Sequence, residues 1–131
     1  MKCKLLLFTV IACLATASMA AVTVDFESVA GNPASYVEGA VTFTSTGGGT
    51  LRVGTGPNGT LGLLTSDSPM APIRADIAGG TSCVSVDIGD YNQDSDTLFL
   101  EIYAADDTML DSVTLLIDGA DTSMHTFSLS A

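Results

Sequence analysis

Cysteine, tryptophan and basic side chains are scarce in this chain, and each scarcity excludes a class of chemistry. Two of the three cysteines, Cys3 and Cys13, lie in the opening "MKCKLLLFTVIACLATASMA". Its lysine-bearing start, apolar run over 5–15 and small closing residues make residues 1–20 a secretory signal peptide, with an apolar run too short to span a bilayer. Cleavage ahead of Ala21, with Ser18 and Ala20 at the small-residue positions, places one domain of residues 21–131 outside the cytoplasm, extracellular or periplasmic. A rival reading takes "VIAC", 10–13, as a lipoprotein signal, but it shortens the apolar run to about eight residues. With the leader gone Cys83 stands alone, which excludes an internal disulfide. In "SCVSVDI" it alternates with the valines, a small half-buried residue rather than a reactive thiol.

The same scarcities bear on catalysis. The single histidine, His125, has no serine elbow around it, so no nucleophile–base pair is visible. One histidine and one cysteine cannot make a zinc site. Paired carboxylates could in principle cleave glycosides, but there is no tryptophan to hold a sugar, and the reading favours a protein that is not an enzyme.

Positive charge is the third shortage. Beyond the leader the chain keeps all 15 acidic residues and only Arg52 and Arg74, a net charge of 2 − 15 = −13. From residue 75 onward there are eleven carboxylates, one histidine and no lysine or arginine. Such a field repels phosphate backbones and anionic lipid heads, so nucleic acid and membrane surfaces are excluded as partners. Dissolved salt or bound cations must screen these carboxylates, and calcium is the cation whose chemistry suits them.

What the chain does have is β-branched residues, glycine-rich turns and short alternating runs, with no helical periodicity. Strands are expected over 22–28, 39–46, 50–54, 61–65, 72–78, 82–89, 97–104, 108–117 and 125–130. "TGGGT", "GTGPNGT" and "DGADTS" supply turns between them. "TGGGT" lacks the lysine and helix of a phosphate loop, and "NGT" at 58–60 reads as a tight turn rather than a glycan acceptor. Val84, Val86 and Ile88 share one face while Ser85 and Asp87 share the other; Leu98, Leu100 and Ile102 likewise oppose Phe99, Glu101 and Tyr103. Oily and wet faces at this spacing predict an all-β, two-sheet antiparallel β-sandwich.

The stretch "DYNQDSDTLFLE", 90–101, tests the calcium idea. Counted as an EF-hand loop, Asp90, Asn92, Asp94, Asp96 and Glu101 fall on ligand positions, but Ser95 stands where the turn glycine belongs. "TLFLEIYA" moreover alternates as a strand, which puts Glu101 roughly 16 Å beyond Asp96. The EF-hand reading fails, and what remains is an acidic loop from Asp90 to Asp96. Four side chains cannot supply the six to eight oxygens calcium takes. If strands 82–89, 97–104 and 108–117 run alternately up and down, Asp118 and Asp121 join the same end and Asp106 and Asp107 the opposite one. Solvated, metal-free turn residues are the competing explanation. Tyr91, inside the loop, is a candidate sugar platform or a loop anchor. Asp25 and Glu27 in "VTVDFES" are expected on one face of a surface strand, or as a calcium ligand pair.

"VTVDFES", "GPNGTLGLL", "VSVDIGDYNQDSDTLFLEIYAADDTML" and "TFSLS" together resemble secreted bacterial β-sandwich proteins often found with a PEP-CTERM sorting tail. Asp25 and Phe26 match the opening strand of that pattern, Gly89 and Asp90 the start of its loop, and Thr97 to Tyr103 its hairpin strand. The chain departs from the pattern in "YAADDT", which lacks the turn glycine, and no sorting tail follows Ala131. The resemblance also implies a last strand carrying an Asp-Asn pair, before which this sequence stops; either the chain is truncated or that strand is supplied differently. An open sheet edge of that kind would invite self-association. By resemblance the fold is jelly-roll or galactose-binding-like, and the partner is extracellular polysaccharide. The expected function is a non-catalytic secreted module that binds carbohydrate or serves the cell surface or matrix, stabilised by calcium. The alternative is a purely structural, self-assembling protein.

Overall fold

The computed structural model describes residues 5–9, 22–55, 59, 61–89 and 94–131. Among them there is no helix, and so none long and apolar enough to cross a membrane. Ten strands follow in order: β1 (Leu5–Thr9), β2 (Ser35–Glu38), β3 (Val41–Ser45), β4 (Leu51–Thr55), β5 (Leu61–Thr65), β6 (Ile73–Ile77), β7 (Cys83–Gly89), β8 (Asp96–Tyr103), β9 (Met109–Ile117) and β10 (Met124–Ser130). They form a five-stranded sheet in the order β10-β7-β1-β5-β4, a three-stranded sheet β2-β3-β6 and a two-stranded sheet β8-β9. Every pairing is antiparallel.

Alternation explains why these sheets layer. Leu51, Leu63, Val84, Val86, Ile88, Phe127 and Leu129 come from the large sheet, Tyr36, Val41 and Phe43 from the second, and Leu98, Leu100 and Ile117 from the third. All of them bury into one core, so the sheets face each other across it as a β-sandwich.

Three rings knit the centre. Phe43 lies edge-on to Phe26 at 5.4 Å between ring centroids and stacks on Tyr36 at 6.1 Å. Phe26 reaches this position from an unusual backbone, with φ of 61°. A bulky residue with positive φ is strained and persists only where its surroundings fix it. Here Glu38 does so: its carboxylate accepts the Asp25 and Phe26 amides at 3.2 and 3.3 Å and the Tyr36 hydroxyl at 2.5 Å. Burial first, and the Glu38 carboxylate second, push the Tyr36 hydroxyl above its ordinary pKa.

This corrects the strand expected over 22–28. Beyond an isolated bridge at Thr23, the segment bends into a turn at Glu27 and Ser28. The Glu27 amide donates to the Asp25 carboxylate at 3.0 Å, so the two acids share a local turn rather than a strand face. Residues 39 and 40 likewise leave the expected strand. Gly39, with φ of 58°, opens a two-residue turn joining β2 to β3, where Glu38 opposes Val41.

The strand over 82–89 holds as β7, but its second face is open to water only at the half-buried Asp87. Cys83 and Ser85 are buried, because β10 lies alongside and Ser85 meets Ser128 hydroxyl to hydroxyl at 3.0 Å. Thr126 on the same strand donates to the Asp87 carboxylate at 2.5 Å. On β8 the expected faces are observed, with Leu98 and Leu100 buried and Glu101 and Tyr103 exposed.

Truncating the ring at the centre of the trio should expose how much the core depends on it. Phe43→Ala is expected to lower unfolding free energy by about 3–5 kcal/mol, read from urea midpoints, while Phe43→Leu loses appreciably less.

Candidate functional site

Two strand registers decide where the acidic residues gather. Gly89, the last residue of β7, pairs with Met124, the first of β10. Asp96, the first of β8, pairs with Ile117, the last of β9. The loop leaving β7 for β8 and the loop leaving β9 for β10 therefore begin and end on the same paired residues, at one end of the sandwich. Asp94 and Asp96 come from the first loop and Asp118 and Asp121 from the second. Asp90, Tyr91 and Asn92 lie outside the described residues.

The approach at this junction is close. A Cβ on Gly89 would lie 2.5 Å from the Met124 sulfur and 3.1 Å from the Ser123 carbonyl oxygen. A side chain there would have to displace the Met124 thioether and press the Ser123 carbonyl back by a few tenths of an ångström, so glycine eases the contact.

The four described acids are not equivalent. Asp96 is 2% exposed, and one carboxylate oxygen each of Asp94 and Asp96 is shut off from solvent. Asp118 instead caps its own turn, accepting the Ala120 amide at 2.9 Å while Asp121 donates its amide back to the Asp118 carbonyl at 3.1 Å. Asp121 accepts the Ser123 amide at 2.9 Å, and its second oxygen lies 2.9 Å from Nε2 of His125. Hydrogen bonds from Ser123, backbone first and hydroxyl second, hold the Asp121 carboxyl below the ordinary carboxylate range; burial opposes them and His125 adds to them. His125 was legible in the sequence only as a strand residue, although its spacing of four from Asp121 across the start of β10 is visible there. Among the described residues no three acidic, histidine or cysteine side chains converge closely enough to grip a metal.

Glu101 lies along β8 opposite Ser112, accepting the Tyr103 hydroxyl at 2.6 Å, and so plays no part in the acidic loop. Asp106 and Asp107 occupy the hairpin turn at the far end of β8 and β9. There the Thr108 hydroxyl and amide hold Asp106 below its ordinary pKa, and Asp107 pairs with Arg74 at 3.1 Å. Arg74 also pairs with Asp76 at 2.8 Å. Arg74, one of the chain's two arginines, is thus committed away from the 94–96 and 118–121 end. The acceptor sequence "NGT" touches residues outside the described set at Asn58 and Thr60.

The lowered pKa of Asp121 has a testable sign. Its folded-state value lies below the unfolded one, so its contribution to stability is full above the unfolded carboxylate pKa and disappears as pH falls through the folded one. Urea titrations should show Asp121→Asn less stable than the parent at pH 7, with the difference closing at pH 3 or below. A gap that persists at low pH would assign the loss to packing instead.

Comparison of the chain with family models, curated proteins and solved structures returns no match.

Proposed function

We propose that this is a secreted, non-catalytic β-sandwich module of the cell surface or extracellular matrix, working in contact with polysaccharide and stabilised by calcium at the end that carries Asp94, Asp96, Asp118 and Asp121. The observation that carries the reading is the double register, Gly89 with Met124 and Asp96 with Ile117, by which both acidic segments start from the same end of the sandwich. Like charges held together need a counter-ion, and the nearest sequence offers no lysine or arginine after residue 74. Calcium takes oxygen ligands in flexible geometry, which suits carboxylates on loops. Asp94 and Asp96 would be its ligands from the first loop, joined by Asp90 and Asn92. Asp118 and Asp121, already capping turns, would share oxygens from the second. The resemblance to PEP-CTERM-associated sandwiches, with their jelly-roll or galactose-binding-like topology, supports the extracellular and polysaccharide parts, with Tyr91 as the sugar platform.

A second reading, a self-assembling structural protein, draws on β9. Met109, Leu110 and Leu116 are all at least half exposed on this strand, Leu116 at 75%. Exposed apolar side chains grouped on one strand are an interaction surface in waiting.

Thermal melting separates ion binding from charge screening. The chain in calcium chloride should melt well above the same chain in chelator with sodium chloride matched for ionic strength, by an amount equivalent to about 2.7 kcal/mol at a hundredfold excess over Kd. Asp94→Asn combined with Asp96→Asn should abolish the difference. Equal stabilisation by sodium chloride would reduce the acidic end to a screened surface. A mature chain that bound no glycan on an array in calcium, while assembling into large species, would favour the second reading.

A further inference from the structure

Strand β1 occupies the middle of the large sheet, yet its residues, Leu5–Thr9, belong to the segment read as a removable leader. It runs antiparallel to β7 over five residue pairs, from Leu5 opposite Gly89 to Thr9 opposite Ser85, and meets β5 at Leu6 and Leu63. We propose that the seam between β5 and β7 is a strand-acceptor site, filled in the exported protein by an extended apolar segment of another polypeptide.

Topology carries the argument. Because β1 is antiparallel to both neighbours, β5 and β7 run parallel to each other. Removing β1 leaves two facing edges about 10 Å apart, too far to bond directly. Each edge then presents a row of unpaired N–H and C=O groups. Closing the gap would require a new parallel pair, and would move β5 together with its hairpin partner β4. That shift would pull Leu51 and Leu63, both fully buried, out of the core they share with Val86 and Ile88. An incoming strand antiparallel to both edges keeps every existing contact.

The walls also state what the occupant must be. On the core side the seam is bounded by Leu63, Val84, Val86 and Ile88. On the other side Leu64 is fully buried with Met70 and Met124 against it, and Cys83 and Ser85 are buried on β7. The core side of the vacated position is apolar, whereas on the outer side the half-buried Asp87 stands opposite Leu7, so the entering segment is apolar at its core-facing positions and at least five residues long.

The inference rests on the secretion reading, and the experiment reports on each separately. The chain is expressed with its leader, recovered after export, and its N-terminus fixed by mass. Hydrogen exchange is then followed with and without the synthetic peptide KLLLFTV, residues 4–10. A shortened chain should show amides of 61–65 and 83–89 slowing together by about tenfold or more when the peptide is present. A peptide carrying Leu6→Pro, which lacks a ladder N–H, should not protect them. Oligomers that protect these amides and dissociate on adding the peptide would identify a second copy as the natural donor. Protection of both segments before any peptide is added, in a shortened monomer, would overturn the acceptor site alone. An exported chain that keeps residues 1–20 would overturn the acceptor site while leaving secretion standing, and a chain that stays uncut and is not exported would overturn both.

Discussion

Strand β7 is the constraint around which the rest is arranged. It is buried on both faces along most of its length and paired on both edges, with β10 on one side and β1 on the other. A backbone so enclosed cannot take its hydrogen bonds from water, and every N–H and C=O must find a partner in a neighbouring strand. The inner face of β7 supplies Val84, Val86 and Ile88 to the common core, and its outer face couples to β10 through Ser85 with Ser128 and Asp87 with Thr126. Its last residue, Gly89, lies close against Ser123 and Met124 at the end of the 118–123 loop. One strand thereby sets the sheet order, the depth of the core and the place where negative charge collects.

The chain copes with that charge unevenly. At the hairpin end Arg74 bridges Asp76 and Asp107, both exposed, and such pairs contribute little to stability. Elsewhere the acids are used as turn-makers: Asp25, Asp106, Asp118 and Asp121 each accept a backbone amide two residues ahead. Asp96 differs because it starts a strand from a buried position beside a second acidic loop. It is there that an ion would do what the sequence offers no basic side chain to do.

Most strands could be read from alternation, since "VTFTS" and "DTLFLEIY" place apolar residues at the spacing a half-buried sheet requires. The failures have local causes. "VTVDF" alternates as well as any of these, and what overrides it is Glu38, which caps the Asp25 and Phe26 amides from another strand. The short β2 is hidden in the sequence because Gly39 extends the alternating run of β3, whereas its positive φ makes it the turn; "SYVE" before it, with Tyr36 facing Phe43, is the available signal. The burial of Cys83 and Ser85 could not be seen from β7 alone, because it depends on β10 arriving from forty residues away. At the acidic end the shared location of the two loops was legible from strand direction. The Asp121–His125 contact and the capping of Asp118 were not, because hydrogen-bond partners follow from turn geometry rather than residue type.

The claim that the two acidic loops form one calcium-holding end is tested most directly by amide NMR during a calcium titration at constant, high sodium chloride. The account predicts saturable shifts that develop together at 94–96 and 118–123, with one midpoint, while the 104–108 hairpin at the opposite end stays still. A uniform, non-saturating drift across all exposed acids, or shifts at one loop without the other, would contradict it.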